Sequence, residues 1–246
     1  MLLSGSFTGC GHPTDTSQNS QASLGLESQG LGAASSQLLK GDKYSQLTVE
    51  VGSVAGHEPA QATLDYLTTF LNARLNKPAG IVTVTGTSVP ATGSGGLATT
   101  DLATIEAANR KSYSGDNNIS VYIMFLDNHN TIDTADSKVL GLAYQSTSIA
   151  IFDDTISLES NASDHALVEK TVLVHEFGHL LGLVNIGTPM AGADHYDYTH
   201  NRGHCSNPLC LMNYAVNTSR LLTVFSGQVP TLDNACLADL RAAGGK

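Results

Sequence analysis

Val172-Leu173-Val174-His175-Glu176-Phe177-Gly178-His179-Leu180-Leu181-Gly182-Leu183 is the stretch on which the reading of this chain turns. Apolar residues occupy most of its positions, so a helix here is buried nearly all round, and unpaired His and Glu side chains inside it would be costly. Ligation of a metal resolves that cost. On a helix His175 and His179 lie four residues apart on one face, where both imidazoles can reach one ion, and Glu176 sits beside them to polarise a water. This is the geometry of zinc-assisted hydrolysis: the ion acidifies water and polarises a carbonyl, and the glutamate takes the proton and delivers it to the leaving group.

A catalytic zinc site has three protein ligands and one open position, so a third ligand must come from elsewhere. No glutamate follows Glu176, which leaves His195, His200, His204 and several aspartates. The segment His175-Glu176-Phe177-Gly178-His179-Leu180-Leu181-Gly182 resembles the metzincin motif, in which the glycine ends the helix in a sharp turn and a third histidine follows. Asn185 stands where that family keeps its third histidine. Further on, His204-Cys205-Ser206-Asn207-Pro208-Leu209-Cys210-Leu211-Met212-Asn213-Tyr214 is similar to the run from third histidine to Met-turn in matrix metalloproteases, and to the His, Cys, Cys, Met run of archaemetzincins. The resemblance implies a metzincin-clan zinc endopeptidase with an insertion of about nineteen residues between Asn185 and His204. It makes His204 the third zinc ligand, with His195 as runner-up, puts Met212 beneath the metal, and gives Tyr214 an oxyanion-stabilising role. A packed tyrosine with a satisfied hydroxyl is the alternative.

Archaemetzincins also hold a second, structural zinc on four cysteines. This chain has Cys205, Cys210 and Cys236, with Asp239 three positions after the last, so a three-cysteine, one-aspartate site competes with a disulfide that leaves one thiol over. The insert carries Asp194 and Asp197 and offers a cleft wall or a second cation site.

Outward from the motif, hydropathy predicts strands over Tyr44 to Val54, Ile81 to Thr85, Ile119 to Leu126, Val139 to Tyr144 and Ser148 to Phe152. It predicts helices over Pro59 to Asn76, Thr100 to Ser112 and Asp164 to Leu183. That order gives an α+β fold, α/β-like in its N-terminal part: a twisted mixed sheet, two backing or active-site helices and an irregular C-terminal subdomain. The polar loop Asp127 to Ser137 lacks EF-hand spacing and reads as solvated. One of the last two strands is expected to be an edge that binds an extended peptide by strand addition.

The chain has 246 residues, 41% of them hydrophobic, enough for a full core, with 14% charged and a net charge of −10. A basic nucleic-acid footprint and any long apolar run are absent. Met1 to Cys10 resembles the end of a bacterial lipoprotein signal, which would place a lipid on Cys10 and the protein in the cell envelope or outside the cell. A latency role for Cys10 has nothing further behind it. Residues 11 to 40, rich in Ser, Gln and Gly, read as a flexible linker, leaving 41 to 246 as a catalytic domain acting on protein or peptide as a monomer. Two rivals remain on sequence: a silent metal-containing binding module, and a surface lipoprotein in which the histidines are incidental.

Overall fold

The central strand explains the architecture. Asn118–Leu126 (β3) is buried along its whole length after the first residue, as expected of a strand covered on both faces. Its alternate residues serve two cores. Ile119, Val121, Ile123 and Phe125 join one cluster with Leu64, Leu67, Phe70 and Leu71 of Gln61–Asn72 (α2) and with Val168, Val172 and Phe177 of His165–Leu180 (α5). Tyr122, Met124 and Leu126 face the opposite way, onto Leu102 of Thr99–Asn109 (α3). The result is a sheet with α2 and α5 on one side and α3 on the other.

This computed structural model describes residues 25–200, 203–217 and 227–246. The remaining strands are Gln46–Val54 (β1), Gly80–Val89 (β2), Gly141–Gln145 (β4) and Ser148–Phe152 (β5), in sheet order β2-β1-β3-β5-β4. All neighbours are parallel except β4, which lies antiparallel to β5 at the edge. The fold is α+β with a mostly parallel five-stranded sheet, and each strand lies where the hydropathy pattern puts it, to within a few residues at most ends. No described helix is long and apolar enough to cross a membrane.

Three helices escape the periodicity. Asp153–Glu159 (α4) continues directly from β5, Asn234–Ala242 (α6) closes the chain, and Ser35–Leu39 (α1) lies inside the stretch expected to be linker. That last expectation needs correction from residue 25 onward. Ala34, Leu38 and Leu39 are wholly buried in the main core, and the Lys77 ammonium donates to the carbonyls of Gln37, Lys40 and Tyr44 at 2.6, 2.6 and 2.7 Å. Ser146 N–H donates to Gln29 O at 3.0 Å. A segment with so few apolar residues is held by polar contacts that carry no period. Cys10 and the first part of the linker lie outside the described residues.

Replacing Lys77 by Met should leave three inward carbonyls short of a donor and lower unfolding stability by about 2–4 kcal/mol. Urea denaturation measures it; a loss below about 0.5 kcal/mol, the range of an ordinary surface change, would show that the segment is not pinned there.

Candidate metal centre

The imidazoles of His175 and His179 stand one helical turn apart on α5, with their Nε2 atoms 3.1 Å from each other. Two donors bound to one ion at about 2.0–2.1 Å sit at about this separation. Which lone pair faces inward is fixed by the backbone: His175 Nδ1 lies 2.7 Å from the Leu211 carbonyl, and a carbonyl can only accept, so Nδ1 carries the proton and Nε2 is free to ligate. The third ring, His204, arrives from the long irregular stretch that follows α5. Its centroid is 5.4 Å from that of His175 and 5.2 Å from that of His179, and one nitrogen from each of the three falls within 4.8 Å of the others.

Glu176 is also buried. Its Oε2 accepts from the Ala143 N–H of β4 at 2.7 Å, whereas its Oε1 has no hydrogen-bond partner among the described residues. Burial pushes the Glu176 carboxyl up to about 8. It pushes His175 down to about 3, with the neighbouring His204 adding to the effect, and His179 well below its ordinary value. Two imidazoles held neutral by burial, a third ring beside them and a carboxylate that cannot easily ionise form a site waiting for positive charge. A divalent cation fits that donor set.

Two glycines make the geometry possible. A Cβ on Gly178 would stand 2.3 Å from Met212 Sδ, so only glycine lets this fully buried methionine slide under the helix. Gly182, at φ +73°, ends the helix, and its carbonyl collects the amides of Ile186, Gly187 and Thr188 at 3.1, 3.2 and 2.9 Å. Val184 and Asn185 both adopt left-handed conformations, at φ 53° and 64°, a strained pair that turns the chain outward. Asn185 is exposed. The insert then comes back to lie antiparallel to the third-histidine segment: Asp197 N–H donates to His204 O and Ser206 N–H to His195 O, each at 2.8 Å. This pairing carries His204 to the site.

His195 does not join the triad. Its Nε2 binds Asp239 Oδ2 at 2.8 Å, and its Nδ1 lies 3.4 Å from Cys205 Sγ and 3.8 Å from Cys236 Sγ. Cys210 Sγ is 3.7 Å from Cys236 Sγ. All three cysteines are buried and free, so the disulfide expected by default is not formed. Nor is Asp239 a member of the cluster; it orients His195 and accepts from Ala191 N–H at 2.7 Å. His195, Cys205, Asp233 and Cys236 each offer one atom within 4.8 Å of the others, with Asp233 Oδ2 accepting from the Cys205 thiol at 3.4 Å, and Cys210 adjoins the group beside Cys236. Cys210 is held down to about 4 by hydrogen bonds from the Cys205 and Cys236 thiols, the signature of a thiolate-ready nest. The sequence offers one hint of this role for His195: three cysteines leave an even-numbered ligand set one short.

Tyr214 opens the 3₁₀ turn Tyr214–Asn217, and its ring stacks on that of His200, centroids 3.4 Å apart. His200 in turn binds Asp197 Oδ2 through Nδ1 at 2.7 Å. The expected cation site at Asp194 and Asp197 is accounted for otherwise: Asp194 accepts from the Tyr198 hydroxyl at 2.6 Å and Asp197 from His200. Likewise Asp127 accepts from Thr92 and Asp133 from Val139 N–H, which leaves their loop ordinary.

No protein-family model matches the chain, and no curated protein matches it. Among solved structures, archaemetzincin from Methanopyrus kandleri is similar, with a TM-score of 0.53 and 16% identity over 81% of this chain and 96% of that one. At that identity the likeness shows a shared fold.

Ala in place of a helical Gly ordinarily gains about 1 kcal/mol, but Gly178→Ala should instead cost about 1–3 kcal/mol by overpacking Met212. In a Met212→Ala background the same change should turn neutral or stabilising. Urea denaturation of the four proteins reads the sign reversal, and an equal cost in both backgrounds would refute the contact.

Proposed function

We propose that this chain is a zinc-dependent endopeptidase in which His175, His179 and His204 hold the ion and Glu176 moves the proton. The observation that carries this reading is the convergence of three imidazoles beside a buried carboxylate oxygen, Glu176 Oε1, that has no hydrogen-bond partner among the described residues. A bound zinc would supply Lewis acidity towards water and the scissile carbonyl. Glu176 takes the proton from the attacking water on Oε1 while Ala143 N–H fixes Oε2, and then hands it to the departing amine.

Substrate placement follows from the same hydrogen bond. β4 is the sheet edge, paired only with β5 among the described residues, so a peptide laid along it in extended form gains backbone bonds and brings its carbonyl past Glu176. Tyr214 belongs to this reading as a donor to the developing oxyanion, released from or steadied by its stack on His200. The archaemetzincin fold supports the peptidase class. Cys205, Cys210, Cys236 and His195 are proposed to hold a second, structural zinc, with His195 in place of a fourth cysteine. Export, with a lipid on Cys10, and action as a monomer complete the proposal.

Chelator-sensitive cleavage of an unfolded protein substrate is the direct assay. Glu176→Gln should lower kcat by about 10²–10⁴-fold with the zinc content unchanged. His204→Ala should lose the triad's ion and all cleavage, whereas His195→Ala should lose the ion at the cysteines and keep the triad loaded. Cleavage by Glu176→Gln at the wild-type rate would sink the mechanism.

A further inference from the structure

A second group of titratable side chains lies at the opposite end of α5 from His175, and the peptidase reading makes no use of it. Asp153 opens α4 where β5 ends; His165 and Glu169 lie four apart on the first turns of α5; His57 follows β1. Three separate chain segments thus bring two carboxylates and two imidazoles to one spot. Both carboxylates are out of water, Asp153 at 6% exposure and Glu169 at 1%, and burial, with Asp153 adding to it, raises the Glu169 carboxyl above its ordinary range.

The contacts leave a gap at the centre. Asp153 Oδ2 binds His57 Nδ1 at 2.9 Å. Its Oδ1 is buried and accepts no hydrogen bond among the described residues, although His165 Nε2 stands only 2.9 Å away. The two atoms are close without being aligned as donor and acceptor. That is the arrangement of adjacent ligands rather than of a hydrogen-bonded pair: at bond lengths of about 2.05 Å, neighbouring vertices of an octahedron are about 2.9 Å apart. Glu169 accepts from the Thr63 hydroxyl through Oε1, which orients it as outer partners orient metal-binding carboxylates. Asp153, His165 and Glu169 each offer one atom, all within 4.8 Å of one another. His165 remains partly open to solvent, with 29% of its side chain exposed, and so provides an entry.

We infer that Asp153, His165 and Glu169 form a divalent-metal site, with His57 holding Asp153 from outside. One nitrogen and two carboxylate oxygens, with waters completing the shell, suit a first-row ion such as Zn²⁺ or Mn²⁺. The ion joins the end of β5, the start of α5 and, through Thr63, the first turn of α2. It lies about 15 Å, ten residues of helix, before His175, and acts as a clamp on the helix that bears the triad rather than as part of the chemistry.

Metal content of the full chain, dialysed to equilibrium against dilute Zn²⁺ and counted by mass spectrometry, tests this. His165→Ala and Glu169→Gln should each bind one zinc equivalent fewer than wild type, whatever number the triad and the cysteines contribute, and each should retain chelator-sensitive cleavage. Zinc should raise the Tm of wild type more than that of either variant. Glu169→Gln keeps the shape and the Thr63 contact, so it remains a fair test if His165→Ala folds poorly. Equal zinc content in wild type and Glu169→Gln would overturn the inference and leave a network held by protons alone.

Discussion

The hydrogen bond from His175 Nδ1 to the Leu211 carbonyl joins the two halves of the molecule. It settles the tautomer, and so which nitrogen faces the other two imidazoles, and it does so with a backbone atom that no single side-chain change can remove. Leu211 is itself placed by its N–H bond to Thr231 O at 2.9 Å, and the next residue's carbonyl accepts from Cys205 N–H at 2.7 Å. A helix from a well-ordered α/β layer therefore depends for its chemistry on a loop that has almost no regular structure. Such a loop must be held by something other than a ladder of backbone bonds. The group of His195, Cys205, Asp233 and Cys236, with Cys210 beside Cys236, stands where that hold is needed, one residue from His204 and two from Met212.

Burial does the electrical work. The sheet and α2 exclude water from α5 so completely that His175, His179 and Glu176 have almost no exposure, and burial is the largest cause of each pKa shift there, with neighbouring imidazoles adding to those of the two histidines. A solvent-exposed HExxH helix would keep charged and neutral forms in near balance near neutral pH. Here the neutral imidazole is strongly favoured, which removes the competition between protons and metal. The same burial explains why Glu176 needs Ala143: a carboxylate with one oxygen pinned by a backbone N–H has one defined direction left in which to act.

Strands and long helices were readable because burial imposes a period on them. β3 gave an unbroken apolar run and α5 an all-round apolar helix, and both lie where that pattern puts them. Helix α1 has only five residues, too few to display a 3.6-residue repeat, and its Ser and Gln neighbours look like linker although Leu38 and Leu39 are fully buried. At the site, spacing alone brought His175, Glu176 and His179 together. Separating His204 from His195 required the family resemblance, since nine residues of loop set no geometry by themselves. What distinguishes them in space is the antiparallel pairing of residues 195–197 with 204–206, a tertiary contact without a local pattern.

That pairing also explains how so long a loop can return a histidine to the candidate site. Lengthening a loop adds little closure entropy, about 0.6 kcal/mol per doubling, so the difficulty is geometric: the third histidine must return to the same point. The chain leaves through the left-handed pair Val184 and Asn185 and comes back as a partner strand to His204. On the way it delivers His195 to the cysteines, with Asp239 of the last helix fixing the ring. The insertion is thereby tied at both ends, to the Gly182 carbonyl at its start and to the cysteine cluster at its finish. The antiparallel pairing therefore holds His204 in place, whereas helix α5 holds His175 and His179 on its own.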